Sequence, residues 1–202
     1  MIFSGTKNII TLFVMSAIIL PTTACVPALL GGAGVAGYAG VQERTVGRAV
    51  DDATIDAEIQ SSFVQKNVRD LFVNVGVEVN EGRVLLTGAV KDPETSVEAV
   101  RLAWQPKGVK EVINEIQVTD KTSLNDYAKD VWISAQVKSK LLFGKHIRSA
   151  NYSIETVNGV VYLMGLAKDQ DELSRAANVV STVKGVKKVI SHVRLYDDQR
   201  RQ

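Results

Sequence analysis

Gly82-Arg83-Val84-Leu85-Leu86-Thr87-Gly88 returns as Gly159-Val160-Val161-Tyr162-Leu163-Met164-Gly165: a glycine, five residues apt for a strand, and a second glycine. The echo extends outward on both sides. Shifted by 77 positions, residues 74–118 lie over 151–195 with 15 of 45 pairs identical, where unrelated stretches of ordinary composition give about three. Gly108-Val109-Lys110-Glu111-Val112-Ile113 falls on Gly185-Val186-Lys187-Lys188-Val189-Ile190, and at an offset of 78 Ile55, Ile59 and Phe63 fall on Ile133, Val137 and Leu141. Two copies of a unit this long are tandem domains, because solenoid repeats are shorter and more numerous.

The periodicity changes in the same order within each copy. Residues 54 to 65 carry apolar side chains four apart, the stripe of a helix lying on a core. Val73, Val75, Val77 and Val79 then alternate with other residues, and after Asn80-Glu81-Gly82 the alternation resumes through Val84 and Leu86, which makes a hairpin. In the second copy the turn is Asn158-Gly159, a strong short-range hairpin signal. A helix from about Pro93 to Trp104 follows, with Pro93 in the first turn where its missing N–H costs nothing. Gly108 ends that segment and Val109 to Val118 supplies a last strand. The expected fold is α+β: two units of order α-β-β-α-β, each a small three-stranded sheet packed on two helices. Gly82, Gly88, Gly108, Gly159, Gly165 and Gly185 recur at equivalent places and read as structural, permitting turns, bulges or close backbone approach. Units this small are near the lower limit of independent stability, so the copies are expected to pack together, joined by the short stretch Lys121 to Asn125.

The first residues are of another kind. Lys7 is the one charged side chain before residue 25, Ile9 to Leu20 is a nearly continuous apolar run, and Pro21 and three small residues lead to Cys25, the only cysteine in the chain. The run is too short for a comfortable membrane span, which takes about 20 residues. Residues 1–24 resemble a lipoprotein signal peptide, which implies an acylated Cys25 as the first mature residue. Thr22 departs from the Leu or Val preferred three places before the cysteine. Residues 25–45 read as the acylated cysteine and a Gly/Ala-rich tether. Val26 in place of an Asp favours, by the same analogy, the outer membrane over the inner.

Composition excludes several functions. The chain has 202 residues, 24 basic and 22 acidic, a net charge of +2 and two histidines. That balance disfavours a protein that wraps nucleic acid, and a single cysteine makes no intrachain disulfide or cysteine zinc site. No nucleophile with a base, no paired carboxylates and no metal-ligand spacing is recognisable, so no catalytic residue, metal or cofactor is assigned. His146 and His192 read as surface residues, and Asp51-Asp52 as carboxylates facing the positive N-terminal end of a helix.

The charge is segregated, however: residues 41–120 sum to −5 and residues 121–202 to +6. The difference reads either as complementarity between packed domains or as attraction of the second domain to an anionic surface. Trp132 bears on that choice. At about 100° per residue it points roughly 140° from the stripe of Ile133, Val137 and Leu141, and its counterpart in the first copy is Thr54. The same helix carries Lys129, Lys138 and Lys140, and Val131, Ala135 and Leu142 form a further apolar stripe. Tryptophan with lysine suits a lipid headgroup region; the other reading puts Trp132 in the seam between domains.

Val46-Gly47, Asp51-Asp52, GRVLLTG at 82–88, NEI at 114–116, DVWISAQVKSKLL at 130–142 and NGVVYLMGL at 158–166 together resemble the dual-BON outer-membrane lipoproteins of the DolP type. The resemblance covers nearly everything after Cys25, and its last two stretches are specific to the second domain of that group. It implies BON domains at 46–119 and 120–196, with 197–202 a polar tail. It also implies a non-enzymatic, lipid-anchored protein on the periplasmic face of the outer membrane. The first helix of the second domain would bind anionic phospholipids such as phosphatidylglycerol and cardiolipin, with Trp132 and Leu142 facing the membrane, in support of envelope integrity at division sites. An alternative expectation is a periplasmic adaptor for envelope assembly or wall-remodelling proteins, docking through the acidic first domain at residues such as Glu78 and Glu81 or through the seam.

Overall fold

The computed structural model describes residues 46–65, 74–120 and 124–201. Cys25, the signal-like segment and the tether lie outside these residues, as do Val73 and residues 121–123.

The first domain runs α1 (Val46–Gln65), β1 (Val75–Asn80), β2 (Arg83–Val90), α2 (Pro93–Ala103) and β3 (Glu111–Val118); the second runs α3 (Leu124–Leu142), β4 (Tyr152–Val157), β5 (Val160–Ala167), α4 (Gln170–Ser181) and β6 (Lys188–Leu195). Each domain is a three-stranded mixed sheet with two helices on one face. β2 lies central in the first, antiparallel to β1 and parallel to β3, and β5 holds the same place in the second. The parallel pairing requires a crossover, and α2 and α4 provide it. The tight hairpin turns follow from residues with positive φ, Glu81-Gly82 at 56° and 76° and Asn158-Gly159 at 53° and 80°, which match the twist of the strands they join.

Alternation sorts the strand residues. Inward-facing Val75, Val79, Val84 and Leu86 meet Ile55, Ile59 and Phe63 of α1 and Ala99, Leu102 and Ala103 of α2. The second core repeats this with Ile133, Val137 and Leu141 against Ile154, Val161 and Leu163, closed by Ala176 and Val180 of α4. The opposite faces of the two sheets meet each other. Leu85, Tyr162 and Met164 are buried there beside Ile113, Val157, Val160 and Ile190, with β2 against β4 and β1 against β5. Leu85 and Tyr162 are the same position of the repeat, as are Ile113 and Ile190, so the domains meet about an approximate twofold relation.

Gly88 (φ +127°) and Gly165 (φ +130°) let the hairpin partner pass close by: a Cβ at either would lie 1.9 Å from the carbonyl oxygen of Asn74 or Asn151. Gly82 and Gly159 sit against the carbonyls of Gly108 and Gly185, whose own absent side chains leave room for Ile55 and Ile133.

Two expectations are corrected here. α1 begins at Val46, not at residue 54, so Asp51 and Asp52 lie within the helix and not before it. Asp52 is buried, and its carboxylate accepts the backbone N–H of Glu81 and of Gly82 at 2.8 Å each. Asp130 does the same for Asn158 and Gly159 at 2.6 and 2.8 Å. A carboxylate one turn from the apolar stripe thus ties each helix to its hairpin turn, supplying two charge-assisted bonds to turn amides.

Candidate functional site

Three features compete for a function: the seam, the clefts beside the hairpin turns, and the exposed face of α3.

The seam is joined by side chains of both domains. His192, read from sequence as a surface residue, is instead 2.9 Å from Glu115 of the other domain through Nε2. β6 lies over β3 there, and strand faces rich in polar residues became an internal surface. Arg83 donates to Glu111 at 2.7 Å and to the His192 carbonyl at 2.8 Å, and Arg194 donates to the same Glu111 at 2.9 Å. The Glu111 carboxyl is held below its ordinary value by hydrogen bonding to Arg83 and by the charges of Arg83 and Arg194, against the opposing effect of burial. Gln117 donates to Val157 O and Tyr162 OH at 3.2 Å and accepts from Asn158 at 2.8 Å.

The last residues also join it. Residues read as a polar tail form a 3-10 turn, Gln199–Arg201, and Arg201 reaches back 120 positions to chelate Glu81 at 2.8 and 2.9 Å. The two side chains are only 10% and 5% exposed. Arg48 of α1 completes the cluster at 2.8 Å. Burial pushes the Glu81 carboxyl up, but the hydrogen bonds and charges of Arg201 and Arg48 outweigh it and hold the group below its ordinary value. Glu78 likewise accepts from Ser153 of the second domain at 2.7 Å. Part of the charge segregation is therefore complementarity: Glu81 faces Arg201, and Glu111 faces Arg194.

The lysines of α3 take no part in that seam, and the helix turns its apolar flank to solvent. Trp132 is 51% exposed, Val131 52%, Leu142 64% and Phe143 79%; Ala135, Lys129, Lys138 and Lys140 are exposed as well. At about 100° per residue Val131, Ala135 and Leu142 fall within about 40° of one another, and Trp132 and Phe143 continue the stripe about 60–80° further round. Lys138 borders it on one side, Lys129 and Lys140 on the other. The placement of Trp132 in the seam is excluded. Lys129 lies 3.2 Å from Asp126, and Lys140 donates to Thr182 at 3.3 Å. Lys138 acts on Glu155 of β4, whose carboxyl is pushed up by burial and pulled back by the lysine's charge.

Phe143, one residue beyond the helix, belongs to the same stripe when the angular count is carried one residue past Leu142. The matching face of α1 carries Asp51, Ala53, Thr54, Ala57, Gln60, Ser62, Val64 and Gln65. One helix of the pair, then, has been made amphiphilic on its outer side, and its counterpart has not.

Among the described residues no group of His, Cys, Asp and Glu is arranged to hold a metal ion, and no helix is long and apolar enough to cross a membrane.

What fold and site define together is a duplicated α-β-β-α-β module that offers an amphiphilic helix face as its distinguishing surface. The chain belongs to the BON domain family, whose pattern matches residues 51–120 and 129–195. It is 47% identical over 154 residues to an uncharacterized protein in the gshII 5' region of Anaplasma centrale, covering 76% of this chain and 100% of that one. It is 34% identical to the outer membrane lipoprotein DolP of Haemophilus influenzae, covering 86% of this chain and 89% of DolP. The osmotically-inducible protein Y of Escherichia coli is 31% identical over 71% of this chain and 72% of its own length.

Proposed function

We propose that this protein is a non-enzymatic outer-membrane lipoprotein that binds anionic phospholipid through α3 and supports envelope integrity, with action at division sites. Cys25 would carry the acyl anchor on the periplasmic face, and α3 would select among regions of the bilayer. The observation that carries the reading is the solvent-facing stripe of Val131, Trp132, Leu142 and Phe143 bordered on both sides by lysine. A stripe so bordered sinks its apolar side chains among acyl chains while the ammonium groups stay with the phosphates. Phosphatidylglycerol and cardiolipin are the lipids the resemblance suggests. Likeness to DolP supports the outer-membrane assignment, and the contrast with α1 supports placing the contact on α3. The adaptor alternative loses Glu78 and Glu81 as free docking groups, since both are bonded within the seam.

The test is co-sedimentation of residues 45–202, without the anchor, with phosphatidylglycerol-containing and neutral vesicles at two salt concentrations. Selective binding that weakens with salt and disappears in Trp132→Glu is expected. Equal binding by the Trp132→Glu variant would overturn the assignment.

A further inference from the structure

Beside α3, where the helix passes the hairpin turn and the loop leading into β6, the second domain has a cleft of about 300 Å³. The first domain has its counterpart, about 440 Å³, in the same place. Both are framed by the same parts: the buried helix aspartate (Asp52, Asp130), the turn glycine (Gly82, Gly159), the loop glycine (Gly108, Gly185) and two lysines of that loop (Lys107 and Lys110, Lys184 and Lys187). Their linings differ in charge. In the first, Asp51, Asp52, Glu58 and Glu81 outnumber Arg48, Lys107 and Lys110. In the second, Asp51 is replaced by Lys129, Thr54 by Trp132 and Glu81 by Asn158, so three ammonium groups face two carboxylates, Asp126 and Asp130. Asp130 is committed to the turn amides.

We propose that this cleft is a headgroup site: it receives the phosphodiester of an anionic lipid, with Lys184 and Lys187 on the loop side, Lys129 on the helix side and the Trp132 indole against the adjoining glycerol and acyl carbons. This rests on the lipid-binding reading above and deepens it. Lipid recognition then involves two elements distant in sequence, α3 and the 184–187 loop, where a helix face alone would need only one. Lys187 donates to Asn158 O at 2.8 Å and Lys129 to Asp126 at 3.2 Å; an ammonium has three donors, so each has hydrogens left for phosphate oxygens. The cation positions are also held. Gly185 packs against Ile133 and Gly159 against Lys187, so the loop and turn are seated on the helix. The charge difference between the two clefts predicts that the first domain's does not bind the same anion.

The experiment uses residues 45–202, which contain both hydrophobic cores and the seam. Backbone amide shifts are followed during titration with dihexanoyl-phosphatidylglycerol below its micelle concentration, with glycerol 3-phosphate and with inorganic phosphate. Vesicle binding is measured in parallel for wild type, Lys184→Gln/Lys187→Gln and Lys107→Gln/Lys110→Gln. The lipid should move the amides of Asn158, Gly159 and Gly185, and those movements should be lost in Lys184→Gln/Lys187→Gln. That variant should bind anionic vesicles about thirtyfold more weakly, about fivefold per charge near an anionic membrane, while Lys107→Gln/Lys110→Gln binds as wild type. Equal loss in the two double variants would mean diffuse attraction and overturn the site. Equal response to glycerol 3-phosphate and lipid would overturn the commitment to a lipid. Wild-type binding by Lys184→Gln/Lys187→Gln with loss in Trp132→Glu would sink the cleft and leave the helix reading standing; no binding by wild type would sink both.

Discussion

Removal of the Arg201 guanidinium should loosen the joint between the domains by a measurable amount. Arg201 makes two hydrogen bonds to Glu81, at 2.8 and 2.9 Å, and lies 4.7 Å from the centre of the Tyr196 ring. It also donates to the Tyr196 carbonyl. Two charge-assisted bonds to a nearly buried carboxylate contribute about 3 kcal/mol gross, and the ring contact about 0.5 more. Ordering a long arginine side chain offsets about 1.5 kcal/mol of this, and Arg48 still serves Glu81 in the variant. Arg201→Ala should therefore cost about 2 kcal/mol, a fall in Tm of about 4–8 °C for a folded body of this size.

The assay is a double-mutant cycle with Glu81→Gln, by urea unfolding at pH 7, with a coupling energy of about 1.5 kcal/mol expected. The acid limb adds a second check. Because the Glu81 carboxyl is held below its ordinary value in the folded chain, the unfolded chain binds more protons there and stability rises with pH. The contribution is complete well above the ordinary carboxylate range and is lost as pH falls through the folded value. Arg201→Ala should flatten that loss. A coupling energy under about 0.5 kcal/mol together with an unchanged acid limb would refute the joint.

Other consequences can be measured as readily. Trp132→Ser gives up the packed half of the indole, which should cost the fold about 2 kcal/mol, and removes about 100 Å² of apolar surface from a bilayer contact. At about 25 cal/mol/Å² vesicle binding should fall about 70-fold, and a fall of less than threefold would be the wrong answer. Asp130→Ala strands two turn amides and should lower stability by about 2–4 kcal/mol, with Asp52→Ala close behind; thermal melts that match wild type would contradict the tether described for both. Gly165→Ala places a methyl 1.9 Å from Asn151 O, at a φ that L residues resist, and should cost more than about 3 kcal/mol; a soluble variant with an unchanged melting temperature would mean that β4 yields there.

The hairpins, the crossover helices and the helix-facing core were legible because alternation and a period near four are local signals, and each was written twice. The seam was not. Its residues include Arg83, Glu111, Glu115, Gln117, His192 and Arg194, which by themselves read as the solvated face of a sheet. The small size of each unit pointed to packing between the copies, but only the charge difference bore on its chemistry, and that difference was shared with a second cause. Asp52 and Asp130 were hidden for a related reason: a carboxylate beside an apolar stripe looks like helix surface, although its repetition at the same offset as Ile55 and Ile133 was the available clue. On α3 the outward stripe was readable from angle alone. The lysines of the 184–187 loop were not, since nothing in sequence places them beside a helix some fifty residues earlier.

Glu115 and His192, which touch across the seam, occupy one position of the repeat. Two separate copies of a single module meeting about a twofold axis must present the same side chain from both sides, so a charge at such a point confronts itself. A chain that carries both copies is released from that rule, and can set acid against base where a symmetric pair would need a residue compatible with its own image. The same release extends to the outer surface: one helix can be shaped for an external surface while its twin keeps the composition of an ordinary solvated helix. A unit built this way would meet such a surface on one side only, with a defined orientation that a symmetric dimer of like helices could not give.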